Sequence, residues 1–196
     1  MGINLQKGQR IDLTKGTSIS KLLVGLGWDP IKPGLLKGLF NNNVNIDCDA
    51  SVLMLDSNGK IARKDNVVYF GNLQSPCKSV IHTGDNLTGD GDGDDEQINV
   101  DLSKVPSDVH KLVFIVNIYD CLKRKQDFGM IQNAFIRIVN PQNNQELLKY
   151  NLTDNYAGKT ALLVGEIYRY NSDWKFGAIG EGTNDFGLKD IVMRYQ

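Results

Sequence analysis

The segment at residues 84–98, GDNLTGDGDGDDEQI, crowds carboxylates onto a short stretch of chain that contains no lysine or arginine. Its acidic residues are Asp85, Asp90, Asp92, Asp94, Asp95 and Glu96. Because neighbouring carboxylates repel one another, the folded chain must offset this repulsion or leave the charges in water. Three explanations are open: a solvated loop, an acidic surface that docks a basic partner, and a loop that encloses a divalent cation.

The composition of this acidic loop suits calcium. Ca²⁺ takes roughly six to eight oxygen ligands from carboxylates, backbone carbonyls and short polar side chains. Gly89, Gly91 and Gly93 allow the sharp turns that direct backbone carbonyls inward. The loop is not an EF-hand, because Asp95 stands where that motif needs glycine and Asp101 stands where it needs glutamate.

A second acidic cluster lies upstream in the sequence. Asp47 and Asp49 alternate with apolar residues, so that on a strand they would project from the same face. Carboxylates side by side on one face are unfavourable unless a cation bridges them or water solvates them. Asp29, which follows Trp28 at the end of an apolar run, is a third candidate ligand. Together with the acidic loop, these residues predict a calcium site that holds more than one ion.

The elements that would position these acids are short strands. Apolar or alternating runs, broken by Gly, Asn, Asp and Pro, occur at residues 22–28, 46–55, 67–70, 98–102, 111–119, 130–139, 147–152, 161–170 and 174–179. Many short strands with turn signals between them predict a mainly β chain, an antiparallel β-sandwich with long calcium-binding loops. Residues 113–116 are continuously apolar, which indicates a strand buried on both faces. We expect one domain over residues 1–196.

Helix is predicted mainly at the end of the chain. Leu188, Ile191, Val192 and Tyr195 repeat with helical spacing. This stripe predicts a short C-terminal helix that docks on the sandwich, with Asn184 or Asp185 as its N-cap. Residues 120–126 predict one further helical turn.

Composition excludes several functional classes. The chain has 196 residues, a formal net charge of −1 and 8% aromatic residues. Nucleic acid is not an expected partner, because a single-strand groove needs a basic surface interleaved with aromatic side chains. No apolar run approaches the ~18 residues of a membrane span, so the protein should not be inserted in a membrane. The first ten residues show no apolar signal segment, and three cysteines without CxxC spacing indicate buried thiols in a reducing, cytoplasmic compartment.

The sequence does not predict an enzyme. It contains no GxSxG nucleophile motif, phosphate-binding loop or dinucleotide-binding loop. His82 and His110 are its only histidines. His82 precedes the acidic loop, where it either orients a carboxylate or lies at a strand end. We therefore expect a non-enzymatic protein.

These motifs together resemble one known family. The segment His82-Thr83-Gly84-Asp85-Asn86, followed by Thr88-Gly89 and Gly93-Asp94-Asp95-Glu96, is similar to the signature loop of the tellurite-resistance TerD family. Asp47-Cys48-Asp49-Ala50-Ser51 resembles the DLDAS motif of that family, with Cys in place of Leu. Segments 24–29, 100–106, 128–137, 165–169 and 174–176 also agree, so that the resemblance spans nearly the whole chain.

The resemblance implies a calcium-binding β-sandwich without established enzymatic chemistry, associated with tellurite and other stress. It implies action with other tellurite-resistance proteins and a membrane-embedded partner. The metal ligands that it implies are Asp47, Asp49, Asp85, Asn86, Asp94, Asp95 and Glu96. We add Asp29 and Gly93, the latter through its backbone carbonyl. Asp90 and Asp92 fall at positions that the family varies, and we expect them near the rim of the site.

Overall fold

Two six-stranded sheets form the fold in the residues that the computed structural model describes, which are 2–31, 46–84 and 93–196. With strands numbered in chain order, the first sheet runs β1 (Ile3–Leu5), β10 (Gln145–Asn151), β9 (Ile131–Asn140), β3 (Lys21–Pro30), β7 (Glu96–Asp101), β6 (Val80–His82). The second runs β2 (Arg10–Asp12), β12 (Asp173–Thr183), β11 (Ala161–Tyr170), β8 (Lys111–Ile118), β4 (Cys48–Leu55), β5 (Val67–Val68). All the pairings within these two sheets are antiparallel except that of β1 with β10. The prediction of an antiparallel-dominated β fold is confirmed.

All nine predicted strands are present, and the ends of most of them are shifted. The segment predicted at 161–170 coincides with β11, whereas the one at 67–70 shortens to β5. The sequence patterns missed β1, β2 and β6, which have three residues each. Three residues cannot establish a period of two, and these strands form because a longer neighbour supplies their hydrogen bonds.

The main core lies between the two sheets. Inward-facing side chains of the first sheet, such as Val24 and Ile98, and of the second, such as Val52 and Phe114, are fully buried in one apolar cluster. Every residue of β8 after Lys111 is buried, which confirms the prediction of a strand covered on both faces. Burial of this apolar area is the main source of stability.

The outer face of the second sheet carries a smaller cluster under the C-terminal helix α2 (Leu188–Met193). Ile191 of α2 is fully buried against this cluster, so the predicted docking of the helix is confirmed. The predicted cap is wrong, because the helix begins after Gly187 without a side-chain cap. Asp185 instead accepts hydrogen bonds from Thr183 and Arg194, which fix the segment before the helix.

The remaining helical segments are short. The predicted turn after β8 is confirmed as α1 (Cys121–Arg124). Single 3-10 turns occur at Lys64–Asn66, Leu102–Lys104 and Phe128–Met130. In the described ranges, neither α1, α2 nor any other helix has the length and hydrophobicity of a membrane span.

The cysteines are only partly as expected. Cys48 and Cys121 are buried, but Cys77 is half-buried, so the prediction of three buried thiols is wrong for it. Cys77 lies in a turn between β5 and β6, with its Sγ 3.4 Å from Ser75 Oγ and 3.0 Å from Ser79 Oγ. Burial raises the pKa of this thiol, but the hydrogen bonds from both serines outweigh that effect and leave it lowered.

Arg169 of β11 fixes the connection between β7 and β8. Its Nε donates to the carbonyl of Val109 at 2.9 Å, and its Nη2 donates to Val105 at 3.0 Å and Pro106 at 3.1 Å. The guanidinium carbon also lies 4.3 Å from the ring centroid of Trp174. A fixed, planar set of donors is what lets one side chain hold three carbonyls.

Replacing Arg169 by alanine should lower the free energy of unfolding by about 2 kcal/mol, because three carbonyls lose a charged donor. Urea unfolding measures this change. Arg10→Ala is the control, since Arg10 stacks 5.7 Å above Tyr168 on the exposed surface. That substitution should cost no more than about 0.5 kcal/mol. Equal losses at the two positions would contradict the importance of the carbonyl contacts.

Candidate metal centre

The last two acidic residues of the acidic loop are Asp95 and Glu96, where β7 begins beside β3. The Asp95 amide donates to the carbonyl of Leu26 at 2.8 Å, and the Asp95 carboxylate accepts from the amide of Trp28 at 2.7 Å. Asp29, near the end of β3, adds negative charge to the same region and accepts from Asn133 at 2.8 Å. The last residues of β3 therefore hold Asp95 through backbone contacts.

Glu96 connects the two sheets. Its Oε2 accepts from the amide of Ala50 in β4 at 2.6 Å. Strand β5 pairs only with Val52 and Leu53, so no described strand partner reaches this amide on the open edge of β4. A buried amide needs an acceptor, and the Glu96 carboxylate fills that need from the opposite sheet.

His82 lies beside the same carboxylate. Its Nε2 is 3.3 Å from Glu96 Oε2, and both side chains are fully buried. His82 Nδ1 accepts from the amide of Gly84 at 3.1 Å, which leaves the proton of a neutral imidazole on Nε2. The Nε2–H group is close to the carboxylate but poorly aligned for a hydrogen bond. Both interpretations left open by the sequence hold, because His82 is the last residue of β6 and also lies where it can orient a carboxylate.

Asp94 has a cationic partner within the fold. Arg137 of β9 binds both of its carboxylate oxygens, at 2.7 and 3.0 Å, and Gln97 donates to it at 3.1 Å. The register explains this arrangement, because Gly25 of β3 pairs with Gln97 on one side and Arg137 on the other. Asp94 as a calcium ligand stays a prediction, and an ion there would share oxygens that Arg137 already holds.

Two glycines of β3 make room for the end of the acidic loop. A Cβ atom on Gly25 would overlap the carboxylate of Asp94, and one on Gly27 would lie 2.6 Å from the carbonyl oxygen of Gly93. Both approaches are closer than real Cβ contacts allow. Because Gly25 and Gly27 have no side chains, the surface of β3 has a groove there, and residues 93 and 94 lie in it.

Asp47 and Asp49 approach the centre from the second sheet. Residues Cys48, Ala50 and Val52 of β4 face the main core, so that alternation directs Asp49 to the outer face. Asn117 Nδ2 donates to Asp49 at 3.4 Å, and Arg124 lies 3.4 Å from Asp47. The Asp49 and Glu96 side chains therefore lie on opposite faces of β4.

The charges of four carboxylates nevertheless act on one buried side chain, that of Cys48. Burial raises the pKa of the Cys48 thiol well above its ordinary value. The nearby charges of Asp49, Asp47, Glu96 and Asp95 raise it further. The loop end and the strand cluster therefore lie near Cys48, but on different sides of β4.

The described carboxylates do not complete a metal cage by themselves. In residues 2–31, 46–84 and 93–196, no group of three or more His, Cys, Asp or Glu side chains has the arrangement of a metal site. Asp85 and Asn86, like Asp90 and Asp92, lie outside the described residues. The donor chemistry fits a hard cation, because carboxylate oxygens predominate and the thiol among them, Cys48, has a raised pKa.

The pKa of Asp95 shows most clearly that the carboxylates are crowded here. Burial, followed by the charges of Asp29, Asp94 and Glu96, outweighs the hydrogen bond from Trp28 and raises the pKa of Asp95 from 3.8 to about 6. A carboxylate with so high a pKa is destabilised in its charged form. A bound cation would reverse that effect, since it favours the charged form.

In metal-free protein, the contribution of Asp95 to stability should fall as pH rises from 3.8 to about 6. The folded state retains the Asp95 proton in this window while the unfolded chain loses it, so deprotonation favours unfolding. Urea unfolding in chelator across this pH range, compared with Asp95→Asn, measures the difference. The asparagine side chain keeps an acceptor for the Trp28 amide but does not titrate. A wild-type advantage that grows with pH would contradict the raised pKa.

Sequence reasoning missed the groups that hold the acids. Arg137, Gln97 and Arg124 are single polar residues, and nothing in the sequence around them indicates which carboxylate each one contacts. The alternation of Gly25 and Gly27 in β3 was the available signal, because glycine in a strand interior often marks close approach of another backbone.

Three comparisons agree on the family. The TerD domain family model matches residues 1–195. Stress response protein SCP2 of Bacillus subtilis (strain 168) is 65% identical over 199 residues, with both chains covered completely. The tellurium resistance protein TerD of Serratia marcescens is 42% identical over 196 residues, which cover 100% of this chain and 97% of that one.

A solved structure shares the fold. It is a homologue of the telluride resistance protein TerD from Streptomyces coelicolor A3(2), with a TM-score of 0.64 and 20% sequence identity. The match covers 86% of this chain and 92% of that one. At this identity the likeness concerns the fold alone, and the assignment of family depends on the sequence matches. From those matches and the acidic sandwich described above, the chain belongs to the TerD family of tellurium-resistance and stress-response proteins.

Proposed function

We propose that this protein binds Ca²⁺ at the carboxylates around Cys48 and acts as a non-enzymatic stress-response protein of the tellurium-resistance type. The observation that carries the proposal is the crowding at Asp95, whose pKa of about 6 reflects burial beside three other carboxylates. Such a site favours a cation, because bound positive charge relieves both desolvation and repulsion.

The ligands fall into two groups. Asp95, Glu96, Asp29 and the carbonyl of Gly93 lie at the beginning of β7 and the end of β3. Asp47 and Asp49 approach from the second sheet, Asp94 is shared with Arg137, and Asp85 and Asn86 of the acidic loop would contribute further oxygens. This division supports more than one ion. Bound calcium would supply the positive charge that balances these carboxylates.

Residues that are not ligands would hold the site in shape. Arg137 fixes Asp94 above Gly25, and the Ala50 amide fixes Glu96 with His82 beside it. The acidic loop is thereby tied to both sheets at its C-terminal end. We propose that calcium binding at this end of the loop creates the surface that a protein partner recognises.

The partners that we propose are other tellurium-resistance proteins and a membrane-embedded protein, with nucleic acid excluded by the balanced charge. A cytoplasmic location remains part of the proposal. It is supported by the reduced state of the three cysteines, none of which is in a disulfide.

An acidic interaction module, with metal incidental, is the second candidate. The pairing of Asp94 with Arg137 favours it, since this carboxylate is neutralised by the protein itself. Monovalent salt distinguishes the two functions. Screening weakens attraction between exposed charges, whereas chelation by several oxygens largely persists.

Calorimetric titration of Ca²⁺ into chelator-stripped protein, in physiological salt with millimolar Mg²⁺, tests the proposal. We expect saturable binding that Asp95→Asn weakens strongly. Asp101→Asn is the matched control, because Asp101 ends the same strand and accepts from Ser103. Binding unchanged in Asp95→Asn, or no binding heat in wild type, would exclude calcium as the ligand and leave the acidic docking surface.

A further inference from the structure

The helices α1 and α2 meet on the outer side of the second sheet. The Sγ–H group of Cys121 in α1 donates to the carbonyl of Phe186, just before α2, at 3.6 Å. Tyr119, Phe186 and Lys189 line the same cavity, so the segments before the two helices adjoin. Lys189 and Met193 are four residues apart on α2 and therefore lie on one side of that helix. We call this surface, residues 119–125 and 186–193, the α1–α2 face.

Large apolar side chains of the α1–α2 face are exposed to solvent. Tyr119 is 47% exposed, Phe186 53%, and Leu122 and Met193 are each 62% exposed. One exposed apolar residue is ordinary on a protein surface, but four large ones on one face indicate an interaction site. Leu122 directly follows the buried Cys121, so one side chain fixes α1 in the fold and the next one points outward.

Lysines stand among these apolar groups. The side chain of Lys123, next to Leu122, is 84% exposed. Lys125 and Lys189 are exposed and form no ion pair with any residue that the structure describes. Arg124 is different, because its guanidinium is held within the protein, 3.4 Å from Asp47 and above the ring of Tyr119. The lysines are therefore the cations that this face presents outward.

The exposed carboxylates of the α1–α2 face extend less far. Asp120 lies 3.8 Å from the ammonium of Lys123, and Asp190 accepts from the backbone amide of Phe186 at 3.1 Å. Lysine carries its charge at the end of a flexible four-carbon stem, whereas an aspartate carboxylate stays close to the backbone. A flat surface that approaches this face would therefore meet ammonium groups and apolar side chains first.

We propose that the α1–α2 face binds the surface of a membrane that contains anionic lipids. The ammonium groups of Lys123, Lys125 and Lys189 would pair with lipid phosphates. Leu122 and Phe186 would enter the boundary between headgroups and acyl chains, as the apolar side of an interfacial segment does. Stable attachment at an interface needs two signals, and this face combines charge with apolar insertion. No segment crosses the bilayer in this proposal.

The composition of the face favours a lipid surface over a protein partner. Lysine is depleted at the cores of protein–protein interfaces, whereas arginine is enriched there. On this face the lysines extend into solvent, and the arginine is engaged inside the protein. The proposal is also independent of the calcium function. Asp47 and Asp49 lie nearby but are buried, and no contact with the membrane uses them.

Flotation of the full-length protein with lipid vesicles, in chelator and physiological salt, tests the face. We expect flotation with equimolar phosphatidylcholine and phosphatidylglycerol, and none with phosphatidylcholine alone. Lys123→Gln/Lys125→Gln should weaken partitioning about 25-fold, since each lysine near an anionic surface contributes roughly fivefold. Leu122→Asn should weaken it about tenfold, because an inserted apolar side chain is lost.

Lys15→Gln/Lys21→Gln is the matched control, because it removes the same charge from two other exposed lysines. Thr14, beside Lys15, contacts Asp173 at the opposite end of β12 from Thr183, which precedes α2. This variant should float as the wild type does. The side chains replaced in α1 are exposed, so the α1 variants should keep the urea midpoint of the wild type.

The proposal is overturned by no flotation with anionic vesicles, by equal flotation with phosphatidylcholine alone, or by wild-type flotation of both α1 variants. An equal loss in the Lys15 and Lys21 control would show attraction through overall charge and overturn it as well. Saturable binding of polyglutamate without binding of vesicles would assign the face to an acidic protein segment instead. Chelator prevents calcium from bridging carboxylates to lipid phosphates. Leu122→Asn should retain the calcium titration of the wild type, so the two proposals are judged separately.

Discussion

Calcium at a thousandfold excess over its dissociation constant should raise the free energy of unfolding by about 4.1 kcal/mol per site. The size follows from mass action, since calcium would bind carboxylates that are assembled only in the folded chain. Urea unfolding in chelator and in saturating Ca²⁺ measures the difference. We expect the midpoint to move while the slope stays constant, because the same surface is exposed on unfolding.

Two controls make this result specific to the carboxylates. Asp95→Asn should lose most of the calcium effect, although its side chain still accepts from the Trp28 amide. Asp101→Asn should keep it. An equal effect of Mg²⁺ at the same concentration would count against a calcium site, because Mg²⁺ requires a smaller and more regular arrangement of ligands.

Gly25→Ala should lower the free energy of unfolding by about 3 kcal/mol and weaken calcium binding, because it displaces the buried Asp94 carboxylate from Arg137, its charged partner. The new methyl group would overlap the carboxylate of Asp94, so this side chain must leave Arg137. Urea unfolding in chelator measures the stability, and calorimetry of the same variant measures the affinity for calcium.

Gly187→Ala is the matched control for this substitution. Gly187 has extended backbone, with φ of 175°, and a methyl group there would meet no atom within 4 Å. Its replacement should change stability by no more than about 0.5 kcal/mol. Similar losses at both positions would show that backbone entropy, rather than the position of Asp94, decides the effect.

The sequence predicts the fold where apolar patterns are long. Strand β11 matches its predicted segment, whereas the segment predicted for β12 covers only residues 174–179 of Asp173–Thr183, because glycines interrupt the apolar pattern near its end. Strands β1, β2 and β6 have three residues each, and only their neighbours determine that they form. The start of α2 was misassigned because the Asp185 side chain, a favourable helix N-cap, instead accepts hydrogen bonds from Thr183 and Arg194.

The acidic residues of the candidate site could be selected from the sequence, but their positions could not. Asp47 and Asp49 were recognised from their spacing, yet only the sheet order shows that Asp49 and Glu96 lie on opposite faces of β4. The partner of Asp94 depends on register across three strands. Arg137 and Gln97 become neighbours only because Gly25 pairs with both.

The short β5 has a consequence for association between chains. It covers only Val52 and Leu53, so within the described residues the first half of β4 presents an edge without a strand partner. A strand edge without a partner can pair with a strand from another molecule, although every residue of β4 is itself buried. The Glu96 carboxylate accepts the hydrogen bond of the Ala50 amide and places negative charge at the edge where an incoming strand would bind. Through this contact Glu96 satisfies an edge amide that would otherwise need a strand partner.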